Sequence, residues 1–481
     1  MSQGTGAVTE RGTSMVPGLG TIVGFLVCVE IASGILQGYY TPIFTDIARH
    51  LDIRDADVNW FEAAQLVVSA LVVPVLARLG DLIGHRNVLL ISTAVTALAS
   101  WAVAFAPTFS TFLVAWAIQG FYVVWLPLEV SIIHRRTAAT GQQTRLTRRA
   151  ASFLVAALEL GVILGAATSG ALVTSMRMEL LLTVPAIAVT VCLVVVFVGV
   201  RAEAPVGKGR LDLKGFALVS VAIGSVMAGL ILVRIQGPGS LLPWVVLVLG
   251  VLAFWPFARF ELRIAEPVID VRLLMTPGQW PVQLTAFLFG MSVLGAQIPL
   301  STFARTDPEV AGYGLGASAG FVTVLIVVYV LALVVGALLL PVVGRAIGTR
   351  SAMLVASLLV ALGYGLFIPL HSSTIQALIN MGIAGIGSGV LVAALPAAAA
   401  AAAPADRTGF VTGMTNTTKT IGGAIASCIF AIALSSAGSI ADTEAGQAPL
   451  SGYLAVWAVC ALTALVAAAS LYLVPKEAFS G

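Results

Sequence analysis

Residues 87–128 read NVLLISTAVTALASWAVAFAPTFSTFLVAWAIQGFYVVWLPL, 42 consecutive positions without an acid, a lysine or an arginine. A helix needs about 20 apolar residues to cross the hydrocarbon core of a bilayer. The stretch therefore holds two crossings, and Ala106-Pro107-Thr108-Phe109-Ser110 marks the reversal between them. The rest of the chain is of the same kind. Of its 481 residues 59% are hydrophobic and 10% charged, where a soluble domain carries roughly a quarter charged. Mean hydropathy is +1.02. The shortage of charge runs the whole length, which excludes a soluble enzyme with one anchor. A net charge of +3 gives no electrostatic basis for binding nucleic acid.

Reading outward from this stretch gives fourteen predicted spans. The first is Gly18 to Tyr39 and the second Trp60 to Leu79, and the opening stretch supplies three and four. Span five covers Ala151 to Val173 and six Leu180 to Val200. Spans seven and eight lie between Gly215 and Ala258, separated by Gln236-Gly237-Pro238-Gly239. Nine is Pro281 to Phe303 and ten Ala319 to Val343. Eleven and twelve share the 55 uncharged residues from Ser351 to Ala405, divided near His371, with an Ala-rich end at Ala397 to Ala403. Thirteen is Phe410 to Ser436 and fourteen Ser451 to Val474.

With the N-terminus inside, 19 basic residues fall in cytoplasmic segments and 5 in external ones, while Lys419 lies within span thirteen. The segment with Arg135, Arg136, Arg145, Arg148 and Arg149 decides this, and the first external loop is instead acidic at Asp46, Asp52, Asp55 and Asp57. The positive-inside rule then places both termini in the cytoplasm of a bacterial plasma membrane. The polar start has no signal-peptide pattern. Cys28, Cys192, Cys428 and Cys460 are scattered through apolar runs and read as small buried hydrophobes rather than zinc or disulfide positions.

The chain also repeats itself. Leu79-Gly80-Asp81-Leu82-Ile83-Gly84-His85-Arg86 follows span two, and Val343-Gly344-Arg345-Ala346-Ile347-Gly348-Thr349-Arg350 follows span ten. Gly120 stands seven residues before Pro127 in span four, and Gly389 seven before Pro396 in span twelve. Such duplication is common in transporters. The expected organisation is a tail over 1–17, a six-helix bundle over 18–200, a linker with two extra transmembrane helices over 201–272, a second six-helix bundle over 273–474, and a tail over 475–481.

On these motifs the chain resembles the major facilitator superfamily, and within it the fourteen-span drug–proton antiporters. The loop Ala77 to Arg86 is similar to that superfamily's motif between helices two and three, through Asp81, Gly84 and Arg86. Gly161-Val162-Ile163-Leu164-Gly165-Ala166-Ala167-Thr168-Ser169-Gly170 resembles the glycine-rich antiporter motif, with Ala166 where proline is typical. Thr412-Gly413 to Gly423 is similar to a late-helix pattern, with Lys419 where arginine is common. One departure bears on coupling. Trp116 occupies the position, three residues before Gln119-Gly120, at which the family carries an arginine associated with proton coupling. The resemblance implies an all-α polytopic major-facilitator fold of two six-helix bundles plus two inserted helices. It also implies a gating role for Asp81, Gly84, Arg86, Gly161, Gly165 and Gly170.

Four glutamates fall within spans: Glu30, Glu62, Glu129 and Glu159. Each costs roughly 2–4 kcal/mol if charged and unpaired near the bilayer centre, so each needs water, a partner or a proton. They are the predicted proton-coupling residues, with Glu30 and Glu159 foremost. Glu62 has the alternative of reaching external water, and Glu129 that of pairing with Arg135 or Arg136. Polar residues at helical spacing accompany them: Glu30, Gly34, Gln37 and Thr41; Glu62, Gln65 and Ser69; Tyr122, Trp125 and Glu129; Thr412, Asn416, Lys419 and Gly423. These stripes are expected to line a central aqueous cavity, with Gln37, Gln65, Tyr122, Trp125, Asn416 and Lys419 contacting substrate. Tyr39 and Trp60 read instead as interfacial aromatics. Lys419 is a counter-ion to Glu159 or Glu30, or an anion-binding group.

No phosphate-binding G-x-x-x-x-G-K-[ST] run is present, and the histidines His50, His85, His134 and His371 are dispersed, so neither a nucleotide, a metal nor another cofactor is expected. The expected activity is export of an amphipathic drug or secondary metabolite in exchange for protons, by a monomer rather than an enzyme. Trp116 and Ala166 favour the alternative, a proton-coupled importer or uniporter of the same fold.

Overall fold

The computed structural model describes residues 20, 23–137, 143–201, 212–264, 267, 269–404, 407–436 and 448–473. Both tails, the start of span one at Gly18 and Lys208 lie outside the described residues, as do the side chains of Arg145, Arg148 and Arg234. Every regular element described is helical. The long helices are α1 (Leu26–Tyr39), α2 (Asn59–Ile83), α3 (His85–Ala104), α4 (Phe109–Arg136), α5 (Gln143–Leu172), α6 (Met178–Gly199) and α7 (Leu213–Gln236). They continue as α8 (Leu241–Glu261), α9 (Trp280–Arg305), α10 (Ala319–Ile347), α11 (Thr349–Leu366), α12 (Thr374–Ala401), α13 (Thr408–Ser436) and α14 (Leu450–Leu473). Thirteen are long and apolar enough to cross a membrane, and α1, at 14 residues, is the short one.

The boundaries differ from the sequence reading in three places. Gly24 sits at φ +53°, so the regular helix of span one begins only at Leu26. Pro42 lacks an N–H, and beyond Tyr39 the chain tightens into a 3-10 turn and then a short helix, Phe44–His50, within the segment between spans one and two. α5 begins at Gln143, two turns before Ala151, because arginines are good helix formers outside the hydrocarbon. In α4 the pairing tightens to 3-10 over Gly120–Val124. α12 runs through the Ala-rich stretch to Ala401.

The duplication is visible in the packing. In the first half α1 packs on α5, α2 on α4 and α3 on α6; in the second α9 packs on α13, α10 on α12 and α11 on α14. The matched glycines are where backbones meet. A Cβ at Gly120 would stand 2.6 Å from the Gln65 carbonyl of α2, and one at Gly389 would strike the Leu333 carbonyl of α10. Gly84 (φ +96°) and Gly348 (φ +83°) take the same left-handed conformation, which a side chain strains. Arg86 donates to the carbonyls of Phe197 (2.9 Å) and Val200 at the end of α6. Arg350 does the same to Leu471 (2.7 Å) and Tyr472 at the end of α14. Both arginines satisfy carbonyls that a helix end leaves open and face its negative pole. Replacing either with alanine is expected to lower the thermal midpoint by a few degrees, about 1–2 kcal/mol, in a detergent melting experiment.

Two large apolar clusters follow this division, one built mainly from α1–α6 and one from α9–α14. A third joins Trp60 and Leu66 of α2, Val226 and Met227 of α7, and Met414 and Cys428 of α13, so the inserted pair docks through α7 on the seam between the halves. Trp60 is buried there, and Tyr39 is fully buried with its hydroxyl on the Leu181 carbonyl at 2.8 Å. Neither is an interfacial aromatic: the seam and the α1–α6 contact claim their rings first.

Besides the α2–α13 seam, polar contacts join the halves at one end. Arg305 of α9 donates to Asp46 at 2.9 Å, with side chains 12% and 17% exposed, and Ser301 donates to the Thr41 carbonyl. Thr323 of α10 donates to the Ala166 carbonyl of α5 at 2.9 Å. Toward the other end, a Cβ at Gly344 or Gly413 meets no described atom within 4 Å. Removing one partner of a mostly buried pair leaves the other charge uncompensated. Arg305→Ala is therefore expected to open this end, raising the labelling rate of a cysteine placed at the buried Thr41 about tenfold, a shift of about 1.4 kcal/mol.

Candidate functional site

α1 and α5 cross on glycine. A Cβ at Gly34 would strike the Leu158 carbonyl, one at Gly161 the Ile31 carbonyl, and one at Gly165 would lie 3.0 Å from the Ile35 carbonyl. Side-chain bulk is absent because the backbones need the space. Gly34 is thus committed to helix contact and leaves the polar stripe expected of it; Gly423 likewise packs on Leu294 and Leu66. Gln37 is exposed and donates to Ser33 at 3.3 Å, whereas Glu30 faces inward and is completely buried. Gly170, on the far turn of α5, meets Thr323 and Ala319 of the other half.

Glu30 meets Glu129. The 3-10 segment of α4 rotates the helix so that Tyr122, Trp125 and Glu129 are all buried. The Glu30 and Glu129 carboxyls are neighbours that act on each other electrostatically, and among the described residues none of their four oxygens has a hydrogen-bond partner. Among the described residues, neither carboxylate oxygen of Glu129 has a hydrogen bond from Arg135 or Arg136. Tyr122 is within electrostatic reach of both Glu62 and Glu30 and packs edge-on to Trp125 at 6.0 Å. Cys192 of α6 is buried in the apolar core of the first half. Glu62 is half-buried and Gln65 buried, on α2.

Glu159 stands apart from this pair. Half-buried on α5, it faces the half-buried Lys419 of α13 electrostatically, and Tyr329 of α10 lies alongside. Asn416 is half-buried one turn before Lys419. Trp116 sits in an aromatic block with Tyr40 (4.4 Å), Phe44, Phe61 and Phe112. Beneath it Gln119 donates to Tyr40 (3.2 Å) and Ser100 (3.0 Å). The motif position that resembled a coupling arginine is therefore a packed, uncharged wall. Asp81 lies 3.4 Å from His85 and 3.9 Å from Arg78, within its own half.

The Major Facilitator Superfamily model matches residues 26–427, spanning both halves and the inserted pair. The chain belongs to that superfamily. Among its superfamily relatives, the cephamycin export protein CmcT of Amycolatopsis lactamdurans is 29% identical over 80% of this chain and 78% of its own. The tetracenomycin C resistance and export protein of Streptomyces glaucescens is 25% identical over 81% of this chain and 71% of its own. In fold, an auto-inhibited POT family peptide transporter aligns with a TM-score of 0.68 at 14% identity, covering 94% of this chain and 97% of that one. The human organic anion transporter MFSD10 aligns at 0.59 and 14%, covering 95% and 100%. This member of the superfamily is a multi-pass membrane transporter with the expected all-α architecture.

Proposed function

We propose that the chain exports an amphipathic drug or secondary metabolite across the bacterial plasma membrane in exchange for protons, by alternating access. The observation that carries this is the sealed Glu30–Glu129 pair. Two neighbouring carboxylates out of water repel, so the pair is stable only while it holds a proton. Loss of that proton requires a rearrangement that admits water or a cation, and such a requirement couples protonation to conformation. Export relatives support the direction of transport.

The basic-residue bias supports cytoplasmic termini. In that orientation the Asp46–Arg305 end is external and held closed by that ion pair. Asp81, Gly84 and Arg86, with Gly161, Gly165 and Gly170, form the hinge and gate surfaces. Tyr122, Trp125, Gln37, Gln65 and Asn416 offer aromatic and polar contacts to substrate. Trp116 gives specific support to a second reading, an importer or uniporter, because it places no cation beside the acids. A compound panel measured in cells with and without the protein separates the two. Export predicts lower accumulation that is abolished by a protonophore, whereas import or uniport predicts raised or gradient-independent accumulation.

A further inference from the structure

The packed pair α3 and α6 leaves a groove of about 450 Å³, lined by Leu90, Ile91 and Ala94 of α3 and by Leu193, Val194 and Phe197 of α6. Every lining residue is apolar, and Ile91, Val194 and Phe197 are exposed. In a chain that crosses a membrane, such a face meets acyl chains rather than water.

The groove ends at a basic mouth. Arg86, one turn before Leu90, is half-buried, and its guanidinium donates to the carbonyls of Val200 and of Phe197 (2.9 Å), the latter a wall of the groove. The charge is therefore fixed at this end, and two such bonds leave a guanidinium with N–H donors to spare. Arg201 follows directly on Val200 and is exposed. Asn87 is exposed on the same stripe of α3 as Leu90, Ile91 and Ala94. The acid of the adjoining loop, Asp81, is answered by His85 at 3.4 Å and Arg78 at 3.9 Å. An apolar slot that ends at two arginines is complementary to an anion with a hydrocarbon tail. A zwitterionic lipid fills the slot but gains little from the mouth, and a soluble anion gains the mouth without the slot.

We infer that α3 and α6 form a binding site for an anionic phospholipid of the phosphatidylglycerol type, with one acyl chain in the groove and the phosphate on Arg86 and Arg201. Basic residues at a membrane surface attract anionic headgroups. Arg86 already ties α3 to the end of α6, and the lipid bridges the same two helices from outside. The site lies apart from the Glu30–Glu129 pair and does not depend on the direction of transport.

The test is native mass spectrometry of the purified full-length protein in detergent, with phosphatidylglycerol and phosphatidylcholine of identical acyl chains supplied in equal amounts. Wild type is expected to retain one phosphatidylglycerol about twentyfold over phosphatidylcholine, roughly fivefold for each arginine. Arg86→Gln and Arg201→Gln should each remove one such factor, and the double variant should hold the two lipids within about twofold of each other. Ala94→Phe, which fills the groove, should cut retention of both lipids. Arg345→Gln, which removes an exposed arginine of the second half, should keep the wild-type ratio. Size-exclusion profiles check folding, and Arg201, beyond the last turn of α6, supplies a variant that leaves the helix contacts intact. Equal retention of the two lipids by wild type, or a ratio unmoved by Arg201→Gln and by the double variant, would overturn the site. A loss just as large in Arg345→Gln would show general surface charge instead. Retention unchanged in Ala94→Phe would place the lipid elsewhere, and displacement by free glycerol phosphate would reduce the site to an anion contact; each of these results also defeats the inference.

Discussion

Glutamine at both Glu30 and Glu129 is expected to leave a folded protein that exchanges substrate across the membrane but no longer concentrates it. The two side chains are completely buried and act on each other. Glutamine keeps their shape and polarity and removes the titrating proton, so the substitution tests chemistry rather than packing. One charge crossing 100 mV is worth about 2.3 kcal/mol, which corresponds to about a 40-fold concentration ratio. Uphill transport by proteoliposomes should fall by that factor, while counterflow between equal pools stays within about twofold. Each single variant keeps one titratable carboxyl, so the double change is the decisive one. Uphill transport that survives the double change would remove the pair from the mechanism.

Gly161→Leu should produce the largest structural effect. At this crossing the Cβ alone already falls on the Ile31 carbonyl and lies 3.0 Å from the Gly34 Cα. Backbone atoms cannot step aside as a flexible side chain does, so α1 and α5 must separate. Overpacking of this kind costs about 1–3 kcal/mol. α1 carries Glu30 one turn from the crossing, so separation also moves that carboxyl away from Glu129. The expected result is a fall of several degrees in thermal midpoint and at least a tenfold loss of uphill transport. Gly344→Ala is the control: its Cβ would meet open space in the last turn of α10, and alanine there should be neutral or slightly stabilising. A Gly161→Leu protein that melts and transports normally would show that the crossing tolerates bulk.

Much of the fold was legible because lipid allows so few solutions. Charge-free runs such as 87–128 and the matched Gly84 and Gly348 loops located the spans and the duplication, and both rest on backbone requirements that leave marks in sequence. The deviations arose where a backbone dihedral rather than composition decides, as at Gly24 and Pro42. Within the site, α4 carried a readable stripe of Tyr122, Trp125 and Glu129. The partner of Glu129 was not readable, since helical spacing says which face a residue occupies but not which helix that face meets. The expected prominence of Glu30 and Glu159 together came from their depth in the spans. Tertiary packing instead sets Glu30 against Glu129 and Glu159 opposite Lys419. The Asp46–Arg305 contact, 259 residues apart in the chain, has no local signature at all.

The most direct test of the central claim is to load proteoliposomes with a pH-sensitive dye and add substrate to one side with no imposed gradient. Substrate entry through wild-type protein should drive protons the opposite way at a fixed ratio, and the Glu30→Gln, Glu129→Gln protein should pass substrate with no change in dye signal. A wild-type protein that moves substrate while the lumen keeps its pH, or a double variant that moves protons as wild type does, would contradict the account.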